Sequence, residues 1–117
     1  MMSIKRTPEQ NAYLGGLIDS EGCLDSTNGT PCIRIKVTDL DIVLRAASLM
    51  DAKWHLDGYS HRREDRKDAW TVQLTGAPAI AVMLDILPWL SARRTQRVNE
   101  LVLAHHLKTS PDLSLAA

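Results

Sequence analysis

Cysteine is scarce in this chain, which has only Cys23 and Cys32 among its 117 residues. Two thiols are too few for the disulfide scaffold of a small secreted domain or for a cysteine-rich metal framework. The sequence also lacks any apolar run approaching the roughly 18 residues of a membrane-spanning helix, and it lacks a signal-peptide pattern. From these absences we expect a soluble, intracellular protein.

An excess of charge of either sign is also missing, because 14 lysines and arginines balance 14 aspartates and glutamates. A net charge of zero argues against nucleic-acid binding, which favours a basic surface. The distribution of the charges over the surface matters more for such binding than their sum. The hydrophobic content of 44% and the length suit one core, so we expect a single domain over residues 1–117, with a flexible tail from about 108 to 117.

A clear helix start stands at Thr7, followed by Pro8 and Gln10. Thr is a good N-cap, Pro suits the first helical position, and Gln three residues after the cap completes a capping box. The pattern predicts a helix from Pro8 to about Ser20, with Gly22 as its stop.

Two adjacent glycines lie in the middle of this predicted helix, where each costs roughly 1 kcal/mol relative to alanine. Ala12, Gly15 or Gly16, and Asp19 recur at helical spacing and form a stripe of small residues. One interpretation is a tight packing contact inside one domain. The other is a helix pair across a twofold axis, in which a second copy of the chain supplies the partner helix.

The segment after the helix predicts a β-hairpin around Asn28-Gly29, a strong two-residue turn signal. The turn would pair Thr27 with Thr30, Asp25 with Cys32, and Cys23 with Arg34. Apolar residues then share one face of the hairpin and polar residues share the other. A disulfide is not expected, because the two cysteines lie diagonally.

The rest of the chain repeats the pattern of a helix followed by two strands. A helix with a capping pattern at Thr38-Asp39-Leu40-Asp41 is predicted to run to about Met50, with an apolar face of Ile42, Leu44, Ala46, Leu49 and Met50. Strands follow at about 53–61 and 69–75, then a helix from about Ala79 to Leu87 that Pro88 ends, and a last amphipathic helix. The sequence therefore predicts an α+β fold.

The segment Leu14-Gly-Gly-Leu-Ile-Asp-Ser-Glu-Gly22 closely resembles the motif that names the LAGLIDADG homing endonucleases. Gly15 and Ser20 replace the two alanines of that motif, and Glu21 replaces its second aspartate. The predicted order of elements also matches the family over about nine-tenths of the chain. The resemblance implies an αββαββα domain with a four-stranded antiparallel DNA-binding sheet. A chain with one motif acts as a homodimer in this family.

The resemblance also implies an active site at the end of the motif helix. Glu21, with Ser20, would bind Mg²⁺ or another divalent cation. Arg93 follows the Pro88-Trp89-Leu90 segment at the offset of the family's basic residue, with Arg94 as the alternative. Asp39 stands where the family often has a polar residue that positions water, and it either has that role or only caps the next helix. The implied dimer interface consists of Ala12, Gly15, Gly16 and Asp19.

The polar faces of the two strand pairs would together bind DNA, since arginine, lysine, glutamine, threonine and tyrosine side chains contact base edges and phosphates. The predicted DNA contacts are Asp25, Cys32, Arg34, Lys36, Tyr59, His61, Arg63, Thr71 and Gln73. The same alternation of faces would add His55 and Asp57.

The implied function is that of a site-specific endonuclease, encoded by a mobile element, which cleaves a long and nearly palindromic duplex by metal-dependent phosphodiester hydrolysis. Two alternatives stay open. A binding module of the same fold would contact DNA or RNA without cleaving it, as a regulator or a maturase does. A structural or interaction protein would keep the dimer helix and have no affinity for nucleic acid.

Overall fold

The computed structural model describes residues 5–57 and 68–109. The helices and strands, in chain order, are α1 (Pro8–Glu21), β1 (Gly22–Thr27), β2 (Thr30–Val37), α2 (Leu40–Met50), β3 (Lys53–Asp57), β4 (Ala69–Thr75), α3 (Ala77–Ile86) and α4 (Ala92–Thr109). A 3-10 turn at Leu87–Trp89 separates the last two helices. Residues 108 and 109 belong to α4, and the remaining residues of the predicted tail, 110–117, lie outside the described part.

The described strands form one antiparallel sheet in the order β1-β2-β4-β3. This arrangement confirms the predicted α+β fold. The β1–β2 hairpin closes through Asn28 and Gly29, whose φ angles are 53° and 79°. Positive φ at both central turn residues matches the right-handed twist of the strands. The predicted pairs Thr27 with Thr30, Asp25 with Cys32, and Cys23 with Arg34 are all present.

The helices cover one face of the sheet, and the core lies between these two layers. Its fully buried side chains include Leu14 and Ile18 of α1, Ile33 and Ile35 of β2, and Val72 of β4. Burial of each such side chain stabilises the fold by about 1.5–3 kcal/mol. The opposite face of the sheet carries the alternate residues and is left to solvent or a ligand.

The helix α2 packs differently from the prediction. Its buried residues are Val43, Ala46, Ala47 and Met50. Leu44, which was predicted to face the core, is 42% exposed. The apolar positions of this helix are numerous enough to suit two different faces, and contact with the sheet selects the one that contains Val43.

The helix α1 begins with the predicted capping box. The Gln10 N–H donates to Thr7 Oγ1 at 3.1 Å, and the Thr7 N–H donates to Gln10 Oε1 at 2.9 Å. The helix ends at Glu21, one residue later than predicted. Gly22 follows with extended backbone, and its N–H donates to the Ile18 carbonyl. A Cβ at Gly22 would lie 2.8 Å from Ile18 Cα, so only glycine fits this change from helix to strand.

No helix within 5–57 and 68–109 is long and apolar enough to span a membrane.

Candidate functional site

The acidic end of α1 is the centre of the candidate site. Glu21 is the last residue of the helix and its side chain is exposed. The hydroxyl of Ser20 donates to the Gly16 carbonyl at 3.0 Å, which turns it back along the helix. Glu21 lies where the chain passes from α1 into β1, because β1 begins at the next residue, Gly22.

The start of α4 lies against this end of α1. The Ser91 N–H donates to Asp19 Oδ1 at 2.7 Å. This hydrogen bond lowers the pKa of Asp19 from its ordinary value of 3.8, and the positive charges of Arg94 and Arg93 lower it further. The contact brings the arginines of α4 to the acidic end of the motif, where the resemblance implied a basic residue.

The two arginine candidates have different environments. Arg94 is partly buried, and its Nη1 donates to the Gly22 carbonyl at 2.7 Å. Arg93 is exposed, and no hydrogen bond or ion pair joins it to the other described residues. Arg93 is thus the arginine whose guanidinium is available to a ligand, whereas Arg94 is engaged by the backbone of its own chain.

The lowered pKa of Asp19 predicts a specific pH dependence of stability. A carboxyl group with a folded-state pKa below its unfolded value stabilises the fold above the unfolded value, and this contribution is lost as the pH falls through the folded-state pKa. We expect Asp19→Asn to unfold at a lower temperature than the wild type at pH 7. The two melting temperatures should converge below about pH 3.8. Thermal unfolding followed by circular dichroism measures both; a constant difference from about pH 7 to well below that value would contradict this assignment.

Asp39 stands at the N-cap of α2 with extended backbone, but its side chain makes no capping hydrogen bond to the described residues. The Asp39 carbonyl accepts the first hydrogen bonds of the helix, from the N–H groups of Ile42 and Val43 at 3.1 and 3.3 Å, as an N-cap carbonyl does. Asp39 therefore occupies the predicted N-cap position of α2, but its carboxylate does not supply a capping hydrogen bond within the described part of the chain. Its role in positioning water stays a prediction, and its exposed carboxylate is compatible with that role.

The predicted polar face of the sheet is present, with its members in cross-strand rows. One row runs Cys23, Arg34, Gln73 and Lys53. Neighbouring strands lie about 4.8 Å apart, so Arg34 and Lys53 are separated by roughly 10 Å across the row. Gln73 and Lys53 are exposed and Arg34 is half-buried. Lys53 was missed in the sequence, although it alternates with Trp54 and Leu56 in the pattern that marks a two-faced strand.

Two predicted DNA contacts on this face are wrong because their side chains are buried. Cys32 is 1% exposed and Thr71 is 4% exposed. Arg34 Nη2 lies 4.0 Å from Cys32 Sγ, so the longer side chain folds over the shorter one. Burial raises the pKa of the Cys32 thiol, although the nearby Arg34 opposes this shift. Short side chains on central strands are covered by long neighbours, an effect that alternation alone does not predict.

Two ion pairs on the polar face also escaped the sequence interpretation. Lys36 Nζ lies 2.9 Å from Asp57 Oδ2, joining β2 to β3 across β4. Asp25 Oδ1 accepts from the Ser26 N–H at 2.7 Å and lies 3.2 Å from Arg97 Nη2. The Ser26 N–H and then Arg97 lower the pKa of Asp25. Asp57 and Asp25 on this face are therefore each paired with a basic side chain of the same protein chain. Of the other predicted contacts, Tyr59, His61 and Arg63 lie outside the described residues.

The outer edge of β1 is covered by arginines of α4. Arg94 donates to the Gly22 carbonyl, and one turn later Arg97 Nε donates to the Leu24 carbonyl at 3.2 Å. Alternate residues of an edge strand direct their backbone groups away from the sheet, and such edges invite pairing with other chains unless they are covered. A shallow open cleft lies here, lined by Gly22, Cys23, Leu24, Arg93, Arg94 and Arg97.

The small-residue stripe of α1 divides between two environments. Gly15 is buried, and a Cβ there would lie 2.7 Å from Trp89 Cβ of the same chain. The prediction that Gly15 lies at an interface between two copies of the chain is therefore corrected. The absence of a side chain at Gly15 instead leaves room for Trp89 of the 3-10 turn. Gly16 is exposed, and a Cβ there would meet no heavy atom of the described chain within 4 Å beyond its own helix backbone. Ala12 is half-buried, and Asp19 accepts the N–H of Ser91, the residue directly before α4.

The described residues contain no cluster of three or more His, Cys, Asp or Glu side chains able to hold a metal ion. At the end of α1, Glu21 is exposed, whereas Asp19 two positions before it accepts the Ser91 N–H. Any cation bound there needs further oxygen ligands, either from a second copy of the chain or from a bound phosphate.

No protein-family model matches the chain, and no curated protein matches it significantly. Solved structures do match. One is homing endonuclease I-CvuI in complex with the I-CreI target, with a TM-score of 0.62 and 17% identity over 92% of this chain and 73% of that one. I-CvuI in complex with its own target in the presence of Ca gives 0.62 and 17%, over 93% and 74%.

A third match is the group I intron-encoded homing endonuclease I-CeuI complexed with DNA. Its TM-score is 0.64 at 10% identity, over 98% of this chain and 63% of that chain, so the present sequence spans less than two thirds of its length. Identities this low establish the architecture rather than the activity. The order of elements, the antiparallel sheet and these three likenesses together show that the chain has the fold of the LAGLIDADG homing endonucleases.

Proposed function

We propose that the chain is a single-motif LAGLIDADG homing endonuclease, active as a homodimer on double-stranded DNA. The observation that carries the proposal is the exposed carboxylate of Glu21 at the end of α1, with the arginine-bearing start of α4 held against it by the Ser91–Asp19 contact. An acid and a cation beside a polar sheet face suit phosphodiester hydrolysis on a duplex bound to that face.

The residues present fit Mg²⁺ as half of a shared site. Mg²⁺ prefers oxygen ligands, retains several waters, and is usually held by one or two carboxylates together with substrate phosphates. Glu21 of each copy, with the backbone or hydroxyl oxygen of Ser20, would supply the protein ligands. A bound divalent cation lowers the pKa of water and stabilises the leaving oxygen.

Each chain would also contribute a cation and a polar residue around the scissile phosphate. Arg93 is exposed beside the motif, where its charge would stabilise the charge that develops on the phosphate. Asp39 would hold a water molecule from the N-cap position of α2. Arg94 is excluded from direct contact with the phosphate in this proposal, because its guanidinium is bound to the Gly22 carbonyl.

The polar face of the sheet would bind the major groove of the DNA. Arg34 and Gln73 are the residue types that read guanine and adenine, and Lys36 and Lys53 suit guanine or phosphate. The longest strand, β2, has 8 residues. It therefore spans roughly 26 Å, or about 8 base pairs, so two subunits would cover about 16 base pairs or somewhat more.

The proposal is tested by selection from a randomised duplex library, first for retention by the protein and then for cleavage with Mg²⁺ or with a chelator. A cleaved and nearly palindromic consensus is the expected result. Salt-dependent retention without Mg²⁺-dependent cleavage would instead identify a binding module of this fold. Absence of retention at low salt would leave only a structural or interaction role.

Substitution of Arg34 tests the sheet face. Arg34→Ala is expected to weaken binding by about 1–3 kcal/mol per subunit and to relax selection at one position if Arg34 reads a base edge. If Arg34 holds a phosphate, the slope of log affinity against log salt should fall by about one per subunit. The measurement is a salt titration of binding by fluorescence anisotropy.

The matched control is Arg45→Ala, which removes an exposed arginine of α2 that stacks on Tyr13 at 4.0 Å, on the helical side of the sheet. This variant should leave affinity and salt slope close to the wild-type values. An Arg34→Ala protein that behaves like the Arg45→Ala control would remove the sheet face from the proposal.

A further inference from the structure

The residues on either side of Glu21 are both bound to the same short segment at the start of α4. Two positions before Glu21, Asp19 accepts the Ser91 N–H at 2.7 Å. One position after it, the Gly22 carbonyl accepts from Arg94 Nη1, also at 2.7 Å. Arg93 lies between Ser91 and Arg94 in the chain. These two contacts therefore hold the backbone that carries Glu21 in a fixed position relative to the backbone that carries Arg93.

The backbone on the Glu21 side of this arrangement has little freedom. The Gly22 N–H donates to the Ile18 carbonyl, and a methyl group at Gly22 would meet Ile18 Cα and O at 2.8 Å. Ile18 is itself fully buried in the core. The Gly22 carbonyl is thus held close to the end of α1, and a contact to it restrains Glu21, the residue directly before it.

Arg94 is costly for a residue with only a structural role. Its Nε is buried and makes no hydrogen bond to the described residues. An unsatisfied buried donor costs about 1–3 kcal/mol. Arg97 covers the same strand edge one turn later with all of its guanidinium nitrogens engaged, by the Leu24 carbonyl, Asp25 and Glu100. Covering the edge does not require the buried arrangement seen at Arg94.

We propose that Arg94 and Asp19 are positioning residues that hold the Glu21 carboxylate and the Arg93 guanidinium at a set separation. This inference rests on the proposed function and adds to it, because that proposal makes neither residue a metal ligand or a DNA contact. Residues that orient a metal ligand typically change metal affinity or activity by about 10–100-fold when they are replaced. Displacement by about 1 Å can cost as much as about 100-fold in rate.

The test compares Arg94→Met with Arg93→Met on the selected duplex. For Arg94→Met we expect the Mg²⁺ concentration at half-maximal cleavage to rise by about tenfold or more. The dissociation constant of Ca²⁺, measured by calorimetry on the protein–DNA complex, should rise in parallel, with DNA affinity in chelator unchanged. Arg93→Met should lower the rate at saturating Mg²⁺ and leave the half-maximal Mg²⁺ concentration unchanged.

Conservative variants separate positioning from folding. Asp19→Asn keeps an oxygen that accepts the Ser91 N–H and should retain the wild-type Mg²⁺ midpoint, whereas Asp19→Ala should raise it. Arg94→Lys keeps a donor for the Gly22 carbonyl and should restore part of the loss in Arg94→Met. If Arg94→Met does not fold, the two Asp19 variants carry the same comparison.

The outcomes distinguish this inference from the proposed function. Wild-type cleavage together with unchanged Mg²⁺ midpoints and Ca²⁺ affinities in Arg94→Met and Asp19→Ala would overturn the inference and leave the proposed function standing. A wild-type complex that neither cleaves DNA nor binds Ca²⁺ would overturn both.

Discussion

Replacement of Glu21 by glutamine is expected to abolish strand cleavage while DNA binding persists. Glutamine keeps the size and the hydrogen-bonding capacity of the side chain and removes the charge that holds the cation. Cation-assisted stabilisation of the transition state is worth several kcal/mol, so the cleavage rate should fall by about 10³-fold or more. DNA affinity should be equal or slightly higher, because each subunit loses one negative charge close to phosphate.

The measurement is single-turnover cleavage of the selected duplex with Mg²⁺, together with binding in chelator. Glu9→Gln is the matched control, since Glu9 is an exposed acid in the first turn of the same helix. It should cleave like the wild type. Equal cleavage by Glu21→Gln and Glu9→Gln would exclude Glu21 as the metal ligand.

Substitutions at the two adjacent glycines should have opposite consequences. Gly16 is exposed and has open space around it, so Gly16→Leu should leave the single chain folded and block the close approach of a second α1. The expected product is a stable monomer that no longer cleaves. Gly15→Ala places a methyl group 2.7 Å from Trp89 Cβ. It should therefore lower the stability of each chain, by about 1–3 kcal/mol, without a specific effect on association.

Sedimentation equilibrium at micromolar concentration and urea unfolding measure the two effects separately. Gly16→Ala serves as a further comparison, because it should raise helix stability by up to about 1 kcal/mol if no partner approaches this position. A wild-type chain that sediments as a monomer, or a Gly16→Leu protein that dimerises as the wild type does, would contradict association through α1.

Local features were predicted correctly where neighbouring residues determine them. The Thr7–Gln10 capping box, the Asn28-Gly29 turn and the pairing that follows from it all depend on residues close in the chain. The alternation of β2 likewise predicted that Ile33 and Ile35 share one apolar face, and both are fully buried in the core. Such features follow from backbone geometry and side-chain chemistry over a few residues, so the sequence alone is sufficient.

The environment of the candidate site depends on contacts between distant parts of the chain. The contacts of Asp19 with Ser91 and of Arg94 with Gly22 each join residues 72 positions apart. Nothing in the pattern around Arg93 and Arg94 indicates which guanidinium faces solvent, because both occupy the first turn of one helix. That choice follows from where α4 crosses the edge of β1.

The motif, the helix that contains it, the hairpin and the two-faced strands are properties that the sequence by itself determined. The tertiary structure decided that Gly15 packs inside the chain while Gly16 faces outward. It also decided that Cys32 and Thr71 are buried on a polar face. Finally, it decided that Arg94 donates a hydrogen bond to the backbone of Gly22. The physical reason is that burial and pairing depend on which surfaces meet in the folded chain, and residues of equal local propensity meet different neighbours.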